Sequence, residues 1–392
     1  MKKRITSIDG VRGVACFMVM FYHTNKNTIY NTSDLWTSST SQNHEIWLNF
    51  TNFFFGAHTG SEAVTVFLAI SGFVAAYGLC GISKYSWVSY TVRRIGRLLI
   101  PCFAVLLILI ATQTISNHFF GVSLHQDWTQ RSLTDYYYWG SLFSSFDFIF
   151  GVPFALYPPM WTIKWILYFS LLLPAVFAAM LKFEDFLSKN IIAVYVICCG
   201  LSCLGFMCDL DTLKFLPPFA LGVNLAMFYY KHPDRKDLKL SNNLFLWFLL
   251  IAGLVLIKIP DYYFAWQHYT GQNYMGFWTI ASLPILYAVL YLKPLDRFLS
   301  TKPLQWLGKI SFALFITHWA IVANSTFENW VVGFSTPSLP FSPWLIVILC
   351  LLIAWLFWKF VEKPSAKLSS LMGQVSANLV TKYFQANQTT KN

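Results

Sequence analysis

Ile5-Thr-Ser-Ile-Asp9-Gly-Val-Arg12-Gly-Val-Ala-Cys-Phe-Met-Val-Met-Phe-Tyr-His23 reads as an apolar helix that carries three ionisable side chains into or beside a membrane. Asp9 and Arg12 stand one turn apart and can pair. Arg12 and His23 are separated by eleven positions. At about 100° per residue that returns the imidazole to within roughly 20° of the same face, about 16–17 Å farther along the axis. Charge is costly inside a bilayer and usually lines a bundle interior or a wet cavity, so this face is a functional candidate. The plainer alternative is an ion pair at the membrane border with a histidine just outside it.

The rest of the chain extends the apolar character. Of 392 residues, 56% are hydrophobic, 19% aromatic and only 11% charged, a balance that excludes an ordinary soluble domain. Apolar stretches of about 17–22 residues alternate with polar ones. They fall at 8–24, 63–80, 97–116, 160–181, 190–207, 213–230, 243–259, 274–292, 308–325 and 342–361. The expected fold is all-α, a polytopic membrane helix bundle of about ten transmembrane helices. No small-residue cleavage site follows the first run, so it is expected to remain in the mature protein.

The net charge of +11 would invite nucleic acid until the cations are placed on this topology. With the amino terminus inside, most lysines and arginines fall in inner segments, only Lys26, Arg131 and Lys214 lie outside, and Arg12, Lys164 and Lys258 lie within spans. This is the positive-inside pattern, and an even number of spans brings both termini to the cytoplasmic side. It gives no reason to expect nucleic acid as a partner. The eight cysteines lie almost wholly in apolar runs without paired loop spacing, so neither a disulfide framework nor a metal site is expected.

Other polar groups interrupt this pattern. The outer loop at about 25–62 holds His44, Glu45, His58 and Glu62, and a second at about 117–159 holds Tyr136-Tyr-Tyr-Trp139 and leads into Trp161. Such aromatics are interfacial anchors or sugar-stacking faces. The loop at 260–273, with Tyr262, Tyr263, Trp266, Gln267 and His268, has a similar composition. Between the second and third spans, Arg93, Arg94 and Arg97 precede Pro101. A short helix there would present guanidinium forks to phosphate, or anchor the chain on anionic headgroups. Ser71-Gly72-Phe73 interrupts the second span, as a close helix contact or a break. In the ninth span Ser311 and His318 share a face seven residues apart, a second intramembrane histidine beside the first.

These features together resemble the acyltransferase 3 family, whose members O-acylate cell-envelope sugars. The resemblance rests on Asp9-Gly10-Val11-Arg12-Gly13 with His23, on Glu62-Ala-Val64 through Ser71-Gly72-Phe73, and on Arg94, Arg97 and Pro101. It continues in Leu307-Gly308-Lys-Ile310-Ser311 with His318-Trp319, and in Glu362-Lys363-Pro364. It runs from Ser7 to about Pro364, so residues 1–364 are expected to form one transmembrane domain and 365–392 a cytoplasmic tail, disordered or interfacial. One departure stands out. Many relatives carry a glutamate after the Trp-Thr/Ser-Leu motif, where this chain has Trp161-Thr-Ile-Lys164-Trp165-Ile-Leu-Tyr168.

The resemblance implies a cytoplasmic acyl-CoA donor, usually acetyl-CoA, and an acceptor hydroxyl on an extracytoplasmic carbohydrate or lipid-linked glycan. Arg12, Arg93, Arg94 and Arg97 are then the expected donor contacts. His23 is the expected general base, with Asp9, Arg12, His318 and Ser71 completing the catalytic set, and Ser311, Ser71 or His318 able to orient His23 or meet the oxyanion. Trp161, Tyr168, Trp319 and Glu62 are the expected acceptor contacts. The implied location is a multi-pass position in a bacterial inner membrane. A non-catalytic membrane sensor and a transporter using the same polar pore are the rival readings; the missing glutamate favours the first, and the lack of repeated halves disfavours the second.

Overall fold

The computed structural model describes residues 4–36, 59–81, 86–120, 159–183, 189–233, 243–264, 275–322 and 342–389. Among them every regular element is helical. The first half contributes α1 (Thr6–Trp36), α2 (Thr59–Leu79), α3 (Trp87–Phe120), α4 (Met160–Lys182), α5 (Ile191–Met207) and α6 (Asp211–Lys231). The second contributes α7 (Asn243–Phe264), α8 (Met275–Tyr291), α9 (Lys293–Leu299), α10 (Lys302–Val322), α11 (Ser342–Phe357), a π-turn at Trp358–Glu362, and α12 (Lys363–Thr389).

Within the described residues, each apolar stretch read from the sequence lies on a helix. By length and composition, Glu62–Leu79, Met160–Lys182 and Trp344–Tyr383 can cross a membrane, and a fourth span is possible if α8 and α9, bent by 89°, count as one. Several large apolar side chains face outward, among them Leu172, Val176, Ile192, Leu244 and Ile348, while polar Thr65, Thr162, Ser202, Thr279 and His318 are buried. That inversion suits a lipid exterior, where small residues and polar contacts join helices.

Glycine sets the two closest helix pairs. A Cβ on Gly13 would stand 2.6 Å from the Gly308 nitrogen, and Gly10 and Gly308 are pressed against the Leu299 carbonyl and the Asp9 backbone. These contacts lay α1 along α10 and let the Asp9–Arg12 turn reach α10's backbone. Gly72 and Gly222 do the same for α2 and α6, against Phe219 and Ala69. Ser71-Gly72-Phe73 is thus a packing contact inside a continuous helix. The sharp turn into α9 brings Ser300 against α1, where Thr6 and Ser300 hydroxyls lie 2.7 Å apart, and Gln305 donates to the Thr6 and Leu299 carbonyls.

Three sequence expectations change. The arginine segment is no short helix ended by proline: it is the first half of the 34-residue α3, which contains Pro101, because neighbouring helices can satisfy the carbonyl that proline leaves free. The outer loop expected from residue 25 begins later, since α1 continues to Trp36. Of the disordered and interfacial alternatives for the tail, the disordered one is set aside for residues 365–389, which are helical in α12 and pack along α3. Gly96 there meets Ser369, and Gly373 meets Arg93 and Ser89, so small residues at the crossing permit the contact. His44, Glu45, His58, Tyr136–Trp139, Trp266, Gln267 and His268 lie outside the described residues.

Candidate functional site

Two polar centres share α1 and α10. At one end of the bundle, Arg12 extends its fork into α10: Nε donates to Ser311 Oγ at 2.9 Å and an Nη donates to the Gly308 carbonyl at 2.6 Å. Asp9 faces the same guanidinium at 3.5 Å and also binds Arg4. Ser311 passes its own proton to the Gly308 carbonyl at 3.0 Å. Ser311 therefore orients Arg12 and does not join the histidines, against the expectation that it could serve them. Glu362 enters from the π-turn and accepts from the Ala313 N–H at 3.2 Å. π-Turns recur at functional sites because they re-aim a side chain from within a helix.

These groups border an open cavity of about 770 Å³, within the size range of small-molecule sites. Its cations are Arg4, Arg12, Arg97, Lys309, Lys363 and Lys367. Asp9 and Glu362 are its carboxylates, and Phe73, Tyr77 and Trp358 contribute aromatic surface. Arg97 stands within electrostatic reach of Arg12, Glu362 and Asp9. Of the arginines expected to act together, only Arg97 and Arg12 line the cavity. Arg94 turns into the helix contact, where it donates to Ser170 Oγ on α4 at 2.8 Å; Arg93 packs against Gly373 of α12.

Farther along the same helices, His23 and His318 meet. His23 Nδ1 and His318 Nε2 are 3.0 Å apart, with rings stacked at 5.2 Å. His318 is fully buried, and its Nδ1 donates to the Leu314 carbonyl at 3.0 Å. A neutral imidazole has one donor and one acceptor, so that bond leaves His318 Nε2 as acceptor. His23 Nδ1–H is then the donor, which makes His23 Nε2 the unprotonated nitrogen. The tautomers follow from the bond pattern. Trp319 closes one side of His23, edge-on at 5.0 Å between centroids, and Tyr22 adjoins it.

The other expected residues are dispersed. Ser71 is half-buried on α2, and no hydrogen bond among the described residues joins it to either histidine. Glu62 is buried on α2 and pairs with Lys258 of α7 at 2.8 Å. Trp161 packs on Phe215 of α6, and Tyr168 meets the edge of Trp165, in an aromatic layer between α4 and α6. Lys164, in the stretch where the resemblance implies a glutamate, lies 5.1 Å from the Trp165 ring centroid. Sequence reading assigned no site role to Glu362, Lys258, Lys309, Lys363 or Lys367. Glu362 and Lys363 had a signal in the Glu-Lys-Pro triplet and Lys258 in its place within an apolar span; Lys309 and Lys367 had none beyond their charge.

Among the described residues no group of three or more His, Cys, Asp or Glu side chains could hold a metal ion. No curated protein and no solved structure gives a significant match. A family model described as an acyltransferase domain, Acyl_transf_3, matches residues 5–359, nearly the whole chain and both polar centres up to the π-turn. The chain belongs to the acyltransferase 3 family, and that membership together with its long apolar helices points to a membrane-associated acyltransferase.

Proposed function

We propose that this protein is an integral-membrane O-acyltransferase that moves an acyl group, most simply acetyl, from cytoplasmic acyl-CoA to a hydroxyl of an extracytoplasmic carbohydrate. The observation that carries the proposal is the His23–His318 pair, whose bond pattern leaves His23 Nε2 as the unprotonated nitrogen on the same helix that places Arg12 in the cationic cavity. By helix rise the two centres are about 16–17 Å apart, a distance for the donor's extended pantetheine arm to bridge. The positive-inside pattern puts the cavity, and both termini, on the cytoplasmic side.

In this reading the donor enters at the cavity, with Arg12 and Arg97 meeting its anionic end. The acceptor approaches His23 from the opposite side, where Trp319 offers an aromatic edge and Glu62 lies on the neighbouring helix. His23 Nε2 takes the proton of the acceptor hydroxyl as its oxygen attacks the thioester carbonyl. The C–S bond then breaks, the ester remains on the acceptor, and the thiolate takes the proton back to leave as free CoA. His318 holds His23 in the required tautomer and spreads the charge that forms on it.

Acceptor-dependent release of free thiol from acetyl-CoA tests the reaction, with purified protein, a panel of glycans and His23→Ala as control. Release that needs an acceptor and vanishes in His23→Ala is expected. Saturable acetyl-CoA binding without release for any glycan, or undiminished release by His23→Ala, would contradict the assignment and favour a sensor or another base.

A further inference from the structure

The cavity carries more positive charge than its own carboxylates neutralise. Six cations border it against Asp9 and Glu362, an excess of four. Three cations are already engaged: Arg4 and Arg12 by Asp9, and Arg97 by the field of Glu362 and Asp9. The other three are lysines. Among the described residues neither Lys309 nor Lys367 makes an ion pair, and Lys363 rests its ammonium 5.7 Å from the Trp358 ring centroid. Lys363 and Lys367 are one turn apart on α12, where like charges cost a helix about 0.2–0.5 kcal/mol. Lys309 faces the same space from α10.

Their position is built into the packing. Gly96 of α3 meets Ser369, and Gly373 of α12 meets Arg93 and the Ser89 carbonyl, so small residues hold α12 close to α3 as one wall of the cavity. Ser365 and Ser369 turn their hydroxyls back to the Val361 and Ser365 carbonyls within α12, leaving the lysines as its charged contribution. The family match ends at residue 359, so Lys363 and Lys367 lie beyond it.

We infer that Lys309, Lys363 and Lys367 form a phosphate-binding wall that selects a donor bearing a nucleotide with several phosphates. The inference rests on the acyl-CoA reading above and assigns the nucleotide end to α12 and α10, and not to Arg93 and Arg94. The diphosphate and extra phosphate of CoA carry roughly four negative charges at neutral pH, which matches the excess. Clustered phosphates of anionic lipid share this chemistry, and the test separates the two.

The experiment is calorimetric binding of CoA and of pantetheine, which lacks every phosphate, to the full chain in nanodiscs of zwitterionic lipid. The parent should bind CoA well above pantetheine. Lys363→Gln with Lys367→Gln should weaken CoA about tenfold and leave pantetheine binding unchanged. Gly373→Leu, which pushes α12 off α3 without altering charge, should weaken CoA similarly. Equal CoA affinity in parent and lysine variant overturns the inference. So does a lysine effect seen only when anionic lipid is present, which would make the wall a lipid site. Lysine-dependent CoA binding without thiol release would sink the transfer reaction and keep the wall. Thiol release with lysine-independent CoA binding would do the reverse.

Discussion

His318 Nδ1 is held by the Leu314 carbonyl at 3.0 Å, and its Nε2 therefore accepts from His23 Nδ1 at the same distance. The helix backbone fixes the tautomer of a buried imidazole, and that imidazole fixes the tautomer of its half-exposed neighbour. His318→Phe keeps an aromatic ring but removes the acceptor. It should lower kcat about 10²-fold with acyl-CoA affinity unmoved and the pH–rate profile shifted. His318→Gln, whose amide oxygen can accept from His23, should recover part of the loss; equal loss in both would mark His318 as packing alone.

Arg12 uses its planar fork, with Nε on Ser311 and an Nη on Gly308. Lysine can satisfy one of those acceptors at a time. Arg12→Lys and Ser311→Ala should each weaken acyl-CoA binding several-fold, and the double variant should fall short of the product of the two. A coupling of about 0.5 kcal/mol or more in a double-mutant cycle is expected from binding isotherms, and strict additivity would separate the residues.

Gly13 packs on backbone, where a Cβ would stand 2.6 Å from the Gly308 nitrogen. Gly13→Leu should destabilise the α1–α10 pair by about 3 kcal/mol and lower the unfolding temperature in detergent. Among the described residues outside its own helix, a Cβ on Gly200 would meet nothing within 4 Å. Gly200→Ala should instead stabilise by about 0.5–1 kcal/mol, and a thermal melt comparing the two variants decides the matter.

Glu62 and Lys258 make an ion pair at 2.8 Å, with the carboxylate buried and the ammonium about one-fifth exposed. Glu62→Gln or Lys258→Met alone breaks this pair and should cost about 3 kcal/mol. The double variant should regain most of that. Thermal stability of all four forms is the readout, and a double variant no better than the singles would mean the two charges do not depend on each other.

Much of this was legible in the sequence because it repeats along a helix. The Arg12–His23 spacing, the Ser311–His318 spacing and the apolar runs all obey the helical period, and each lies on the helix expected of it. The link between the histidines was not legible, since it joins positions nearly three hundred residues apart through an α1–α10 contact set by Gly13 and Gly308. The arginine run misled for a related reason. Arg93 and Arg94 are consecutive and point about 100° apart, while Arg94 and Arg97, one turn apart, are drawn to different neighbours, Ser170 and the cavity, and only the neighbouring helices decide which is which. Lys367 belongs to the segment after Pro364 expected to be a disordered or interfacial tail, Lys363 to the Glu362-Lys363-Pro364 triplet just before it, and the glycines of α3 and α12 that dock this helix carry no signal until the partner helix is known.

The central claim is that donor and acceptor reach opposite ends of one helix pair. It is tested most directly in proteoliposomes of uniform orientation, with acetyl-CoA confined to the face bearing Arg12 and the glycan to the face nearer His23. The account predicts acetylated glycan only in that arrangement, and none with His23→Ala. Product formed only when donor and acceptor share one face would contradict it.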